Sequence, residues 1–167
     1  MLPDERLLGP ARSVLEIYRA KGWLAGTAES CTGGLISAAL TAVPGSSDVL
    51  ERGLVTYTNA AKADLLDVPT DLFPRVGAVS QEVAAAMLRG LLARAPVEAG
   101  VAVTGIAGPG GGTAEKPVGL VYIAAGAQTG APRVQQFLFE GDRDTVRLES
   151  VRAALEMLRD AADQGEV

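Results

Sequence analysis

Short apolar runs alternate along this chain with longer amphipathic stretches, and that alternation restricts the fold more than any other feature. Residues 10–21, PARSVLEIYRAK, place Pro10 where a first helical turn accepts it, repeat apolar side chains at Ala11, Leu15 and Tyr18, and stop at Gly22. A short strand is expected over residues 23–28, then a small-residue helix over 34–43 that Pro44 and Gly45 end. The next strand is RGLVTYT at 52–58, leading into a helix from Asn59 that carries Lys62. Ser80 caps a further helix, with Glu82 near its positive end and Val83, Met87 and Leu91 as an apolar stripe. Residues 100–104, GVAVT, read as a buried strand. Residues 118–125 and 133–139 read as a hairpin, and a final helix starts near Asp142 with Val151, Leu155 and Leu158 on one face.

The order α, β, α, β, α, α, β, β, β, α predicts an α/β layered fold around one mixed sheet of five strands, in a single domain over residues 1–167. If the first three strands are parallel with helical crossovers, their carboxyl ends share one edge of the sheet. Ser30, Lys62 and the loop over 105–117 then meet there. The strand after that loop runs back, its hairpin partner runs forward again, and Arg143 returns to the same edge. Four polar segments far apart in sequence converge where α/β folds hold ligands.

Composition removes several kinds of function. A net charge of -5 with no run of basic residues argues against a nucleic-acid surface, and only 4% of residues are aromatic, so stacking platforms for single strands are scarce. The N-terminal MLPDERLLGP has no apolar core of signal-peptide length and no apolar stretch is long enough for a membrane span, so a cytoplasmic protein is expected, with no membrane partner. One cysteine cannot form an internal disulfide, and the absence of histidine speaks against a zinc site. Bases able to act near neutral pH are then a carboxylate, a perturbed lysine, a tyrosine or the lone cysteine, and lysine occurs only at 21, 62 and 116.

The stretch TAESCTGG at 27–34 packs an acid, two hydroxyls and a thiol against two glycines. Read alone it is a glycine-tolerant turn with Thr32 capping a helix. Read functionally, the backbone N–H groups of Cys31, Thr32, Gly33 and Gly34 form a cradle for an oxyanion or a phosphate. The loop GIAGPGGGTAEKPVG lacks the Gly-Lys-Ser/Thr of a phosphate loop and reads by itself as a crossover. Arg143 reads by default as a solvated residue behind an Asp142 cap, Lys62 as a surface lysine, and Cys31 as a small buried residue. Magnesium at Asp142 and Asp144 is a further alternative.

Taken together, AESCTGG, GLVTYTNAAKADLLDV, GAVSQEVAAAM, VTGIAGPGGGTAEKPVG and GDRDTVR resemble the C-terminal domain of the competence/damage-inducible CinA proteins, the nicotinamide-nucleotide amidohydrolase family, from about residue 10 to residue 160. The resemblance implies a three-layer α/β/α sandwich around a mixed, mostly parallel sheet, in a stand-alone form of the domain. It implies hydrolysis of the carboxamide of nicotinamide mononucleotide (NMN) to nicotinate mononucleotide and ammonia, with no metal and no cofactor. Ser30 matches the family nucleophile, Lys62 the base and Tyr57 the tyrosine near them. Thr104, followed by Gly105, takes a position held by a hydroxyl residue in relatives, and Arg143 matches the arginine of the Gly-Asp-Arg motif, a phosphate ligand. For Lys62 to act as a base its pKa must fall by burial and by a nearby cation such as Arg143. A pyridine mononucleotide is the expected partner and a homo-oligomer, a dimer, the expected assembly. The rival reading is a non-catalytic nucleotide-binding regulatory module.

Overall fold

In the computed structural model, which describes residues 4–165, helix α1 (Glu5–Lys21) starts a turn earlier than the Pro10 signal suggests. Asp4 caps it by accepting from Arg6 N–H, and Leu7, in that extra turn, is buried in the core. The gain from these two features outweighs the one backbone donor that Pro10 lacks. Gly22, at φ 66°, closes the helix as expected. Strand β1 (Ala25–Glu29) leads through a five-residue turn into α2 (Leu35–Thr41). Strand β2 (Leu50–Val55) ends before the expected Thr58, because Tyr57 and Thr58 leave the sheet so that the Thr58 hydroxyl can accept from Ala61 N–H and cap α3 (Asn59–Leu66). A short α4 (Leu72–Val76) precedes α5 (Gln81–Arg94), which Ser80 caps as read from sequence. Strands β3 (Ala99–Gly105), β4 (Leu120–Ala127) and β5 (Arg133–Leu138) follow, and α6 (Arg143–Ala161) begins behind its Asp142 cap.

The sheet order is β2-β1-β3-β4-β5. β1 pairs parallel with both β2 and β3, whereas β4 is antiparallel to β3 and to β5, so β4 alone runs against the rest. This is the mixed, mostly parallel five-stranded sheet that the sequence implied. Alternation along the strands feeds two separate cores. Ala99, Val101, Val103, Val121 and Ile123 pack with α1, α2 and α6 on one face. Ala28, Ala102 and Ala124 pack with Leu66 of α3 and with Val83, Met87, Leu88 and Leu91 of α5 on the other. The result is an α/β/α sandwich with an almost wholly aliphatic interior.

Small residues let these layers approach closely, which is what brings α3 and its lysine to the sheet. At Gly90 on α5 an added Cβ would lie 1.8 Å from the carbonyl oxygen of Leu66, so any side chain there would push α3 outward. Parallel β1, β2 and β3 deliver their C-terminal ends to one edge, and β5 returns Arg143 to it. No helix among the described residues is long and apolar enough to cross a membrane.

Candidate active site

Ser30 follows directly on β1, its N–H still donating to Val103 O on β3 at 3.0 Å. The chain then turns, with Gly33 N–H donating to Ser30 O at 3.0 Å. What shapes the turn is Glu29, a fully buried carboxylate to which the sequence reading assigned no role. Its Oε2 accepts from the Thr32 hydroxyl at 2.8 Å and from the N–H groups of Gly34 and Ile36 at 3.0 Å each. Its Oε1 accepts from Ser37 N–H at 2.9 Å and from the Ser37 hydroxyl at 3.0 Å. A strand carboxylate thus caps α2, and Thr32, expected as the cap, serves instead as a donor to it. Gly34, at φ 97°, begins the helix in a conformation that side-chain-bearing residues rarely adopt.

From the opposite side Arg147 of α6 donates to Cys31 O and to Thr32 O, both at 3.2 Å. The amides of Gly33 and Gly34, expected to face a ligand, are therefore occupied. Those of Cys31 and Thr32 have no partner among the described residues, and they are the two that follow Ser30 directly.

Lys62 reaches this turn from the second turn of α3. Only 2% of it is exposed, and its Nζ lies 2.9 Å from Ser30 Oγ, 3.0 Å from Thr56 O and 3.4 Å from Tyr57 O. An ammonium group donates to all three oxygens. A neutral amine has two protons and one lone pair, which suits two bonds to the backbone carbonyls and one accepted from the Ser30 hydroxyl. Burial lowers the Lys62 pKa to about 8. Arg143, expected to share in that effect, directs its guanidinium elsewhere. Thr56 Oγ1, beside this cluster, is buried without a partner among the described residues, a cost that the site carries.

A cleft of about 210 Å³ opens over the pair, lined by Ser30, Cys31, Tyr57, Asn59, Lys62, Ala78, Val79, Thr104, Gly105, Ala107 and Arg143. Of the residues singled out from sequence, Ser30, Cys31, Tyr57, Lys62, Thr104, Gly105 and Arg143 meet here, while Thr32, Gly33 and Gly34 lie behind the lining as part of the scaffold. Arg143 donates to Gly108 O at 2.7 Å and to Tyr57 Oη at 3.0 Å, joining the glycine-rich loop to the segment between β2 and α3. Thr104, 1% exposed, donates its hydroxyl proton to Ala78 O at 2.8 Å. Lys116, unassigned from sequence although one of only three lysines, holds the far side of the glycine loop by donating to Val76 O and Val79 O. Cys31 is buried, and burial pushes its thiol up to about 11, so the thiolate is scarce at neutral pH.

Comparison with known proteins identifies the family. The family model for the CinA C-terminal domain matches residues 9–162. A CinA-like protein of Syntrophotalea carbinolica is 50% identical over 149 residues, covering 89% of this chain and 36% of that protein. One from Geotalea daltonii is 51% identical over 146 residues, covering 87% and 35%. The chain therefore spans little more than a third of the curated relatives it matches. Among solved structures, the competence/damage inducible protein CihA from Agrobacterium tumefaciens superposes with a TM-score of 0.94 at 47% identity, covering 98% of this chain and 99% of the other. The competence damage-inducible protein A (ComA) from Klebsiella pneumoniae superposes at 0.91 with 33% identity, covering 96% and 99%. The chain belongs to the CinA C-terminal domain family.

Proposed function

We propose that this member of the CinA C-terminal domain family is a serine amidohydrolase that converts the carboxamide of NMN to the acid. One observation carries the reading: a buried lysine with a lowered pKa sits 2.9 Å from a serine hydroxyl, and both line a cleft. Neutral Lys62 takes the proton of Ser30 as Oγ bonds to the carboxamide carbon, and the carbonyl electron pair moves onto oxygen. The free amide of Cys31, which lines the cleft beside Ser30, is the donor suited to that oxyanion. The tetrahedral species collapses by breaking its C–N bond, with Lys62 returning the proton to the departing nitrogen, so ammonia leaves and an ester to Ser30 remains. Water then attacks the ester, losing a proton to Lys62, and Ser30 recovers it as the acid departs. Arg143 and Tyr57, at the outer side of the cleft, are the groups suited to the phosphate of the nucleotide.

The test is ammonia release from NMN by the purified protein across pH. Because the neutral amine is the active form, kcat/KM should rise with pH through about 8 and level off above it. Binding of NMN without ammonia release would favour the nucleotide-binding module instead.

A further inference from the structure

We infer that Thr104 selects a carboxamide over a carboxylic acid in this cleft, by presenting a hydrogen-bond acceptor to the substrate NH2; the inference rests on the Ser30–Lys62 hydrolase reading. Glu29 and Val103 are register partners on β1 and β3, and Ser30 N–H donates to Val103 O. Ser30, directly past the end of β1, and Thr104, near the end of β3, therefore stand at neighbouring positions on adjacent parallel strands, and both line the same cleft. A threonine hydroxyl carries one proton and two lone pairs. A carbonyl oxygen can only accept, so the Thr104 proton lies on Ala78 O, 2.8 Å away. What the hydroxyl has left to offer a ligand is lone pairs.

The carbonyl that fixes this direction is itself held in place. Four successive carbonyls each accept from a side chain: Val76 O from Lys116, Gly77 O from the Ser80 hydroxyl at 2.9 Å, Ala78 O from Thr104, and Val79 O from Lys116 at 2.7 Å. Turning the Thr104 proton toward a ligand breaks its bond in this row. With the substrate carbonyl on the Cys31 amide that follows Ser30, the NH2 group is the part left for Thr104, and its hydrogens match the lone pairs. Holding those hydrogens also leaves the nitrogen lone pair, as the C–N bond breaks, free to take the proton from Lys62. In the product acid both oxygens are acceptors, and the one facing Thr104 meets lone pairs with no proton between them. The amide is therefore favoured on entry and the acid on release. Selection of this kind, by leaving a polar group without its partner, is far stronger than selection by size.

The experiment compares Thr104→Val and Thr104→Ser on NMN, on the methyl ester of nicotinate mononucleotide, which has no N–H at that position, and with nicotinate mononucleotide as inhibitor. Thr104→Val should lose roughly ten- to a hundredfold in kcat/KM on NMN while ester turnover stays level or rises. Inhibition by the acid should tighten several-fold, and Thr104→Ser, which keeps the hydroxyl, should behave like the parent. If Thr104→Val does not fold, Thr104→Ala set against Thr104→Ser makes the same comparison. Equal losses on amide and ester, with the parent active on NMN, would overturn the selecting role and leave the Ser30–Lys62 reading standing. A parent protein inert on both amide and ester would overturn the two together.

Discussion

Replacing Lys62 by Met should give a protein that releases no ammonia and whose stability relative to the parent depends on pH. The Lys62 side chain is only 2% exposed, and burial lowers its pKa from 10.5 to about 8. One pKa unit corresponds to about 1.36 kcal/mol, so keeping this group in its pocket costs the folded parent about 3 kcal/mol near neutral pH. Between about 8 and 10.5 the unfolded chain binds more protons than the folded one. Parent stability therefore rises with pH across that window, the penalty being complete below it and gone above it. Met keeps an unbranched stem of similar length without the charge. It also forfeits the bonds to Ser30 Oγ, Thr56 O and Tyr57 O, each worth about 0.5–1.5 kcal/mol. The net change at neutral pH is a balance of these quantities, but its pH dependence contains only the lysine. From about pH 6.5 to about pH 10 the parent should gain about 2.5 kcal/mol on the variant, or roughly 5–10 °C in relative Tm for a chain of this size. Paired denaturation curves across that range measure it. A difference that stays constant would mean that Lys62 titrates as an ordinary lysine, and the neutral base would go with it.

Ser30→Ala and Lys62→Arg should each abolish nearly all ammonia release, since one removes the nucleophile and the other keeps a cation that cannot be deprotonated; Cys31→Ala should keep most of it, and the parent should resist iodoacetamide at neutral pH because the Cys31 thiol is buried and pushed up to about 11. A dead Cys31→Ala beside an active Ser30→Ala would move the nucleophile by one residue. Arg143→Ala should weaken turnover of NMN far more than of the nucleoside that lacks the phosphate, and equal losses would confine Arg143 to its bonds with Gly108 and Tyr57. Glu29→Gln should destabilise by about 2–3 kcal/mol, read as a Tm drop of roughly 5–10 °C, because backbone N–H groups point at both carboxylate oxygens and either orientation of the amide sets its NH2 against one of them. An unchanged Tm would show that the turn does not depend on the carboxylate.

The order of helices and strands apart from the short α4, the Ser80 and Asp142 caps, the hairpin and the convergence of Ser30, Lys62 and Arg143 at one sheet edge were legible in the sequence. Each rests on local signals, namely periodicity, turn chemistry and the handedness of crossovers, which act over a few residues. Motif resemblance added the pairing of Ser30 with Lys62. Tertiary structure alone decided how the site is held and how it is charged. Glu29 appears in sequence as one acid in AESCTGG, but its capping role arises only when the turn folds Gly34, Ile36 and Ser37 back over it. Arg147 is 116 residues from the carbonyl of Cys31 that it holds. The lowered pKa of Lys62 comes from the packing that buries it, and the direction of the Thr104 proton comes from a carbonyl 26 residues away. Local pattern determines which elements form and where their ends point. Donor direction and desolvation depend on atoms brought together by the whole fold, and no stretch of sequence contains them.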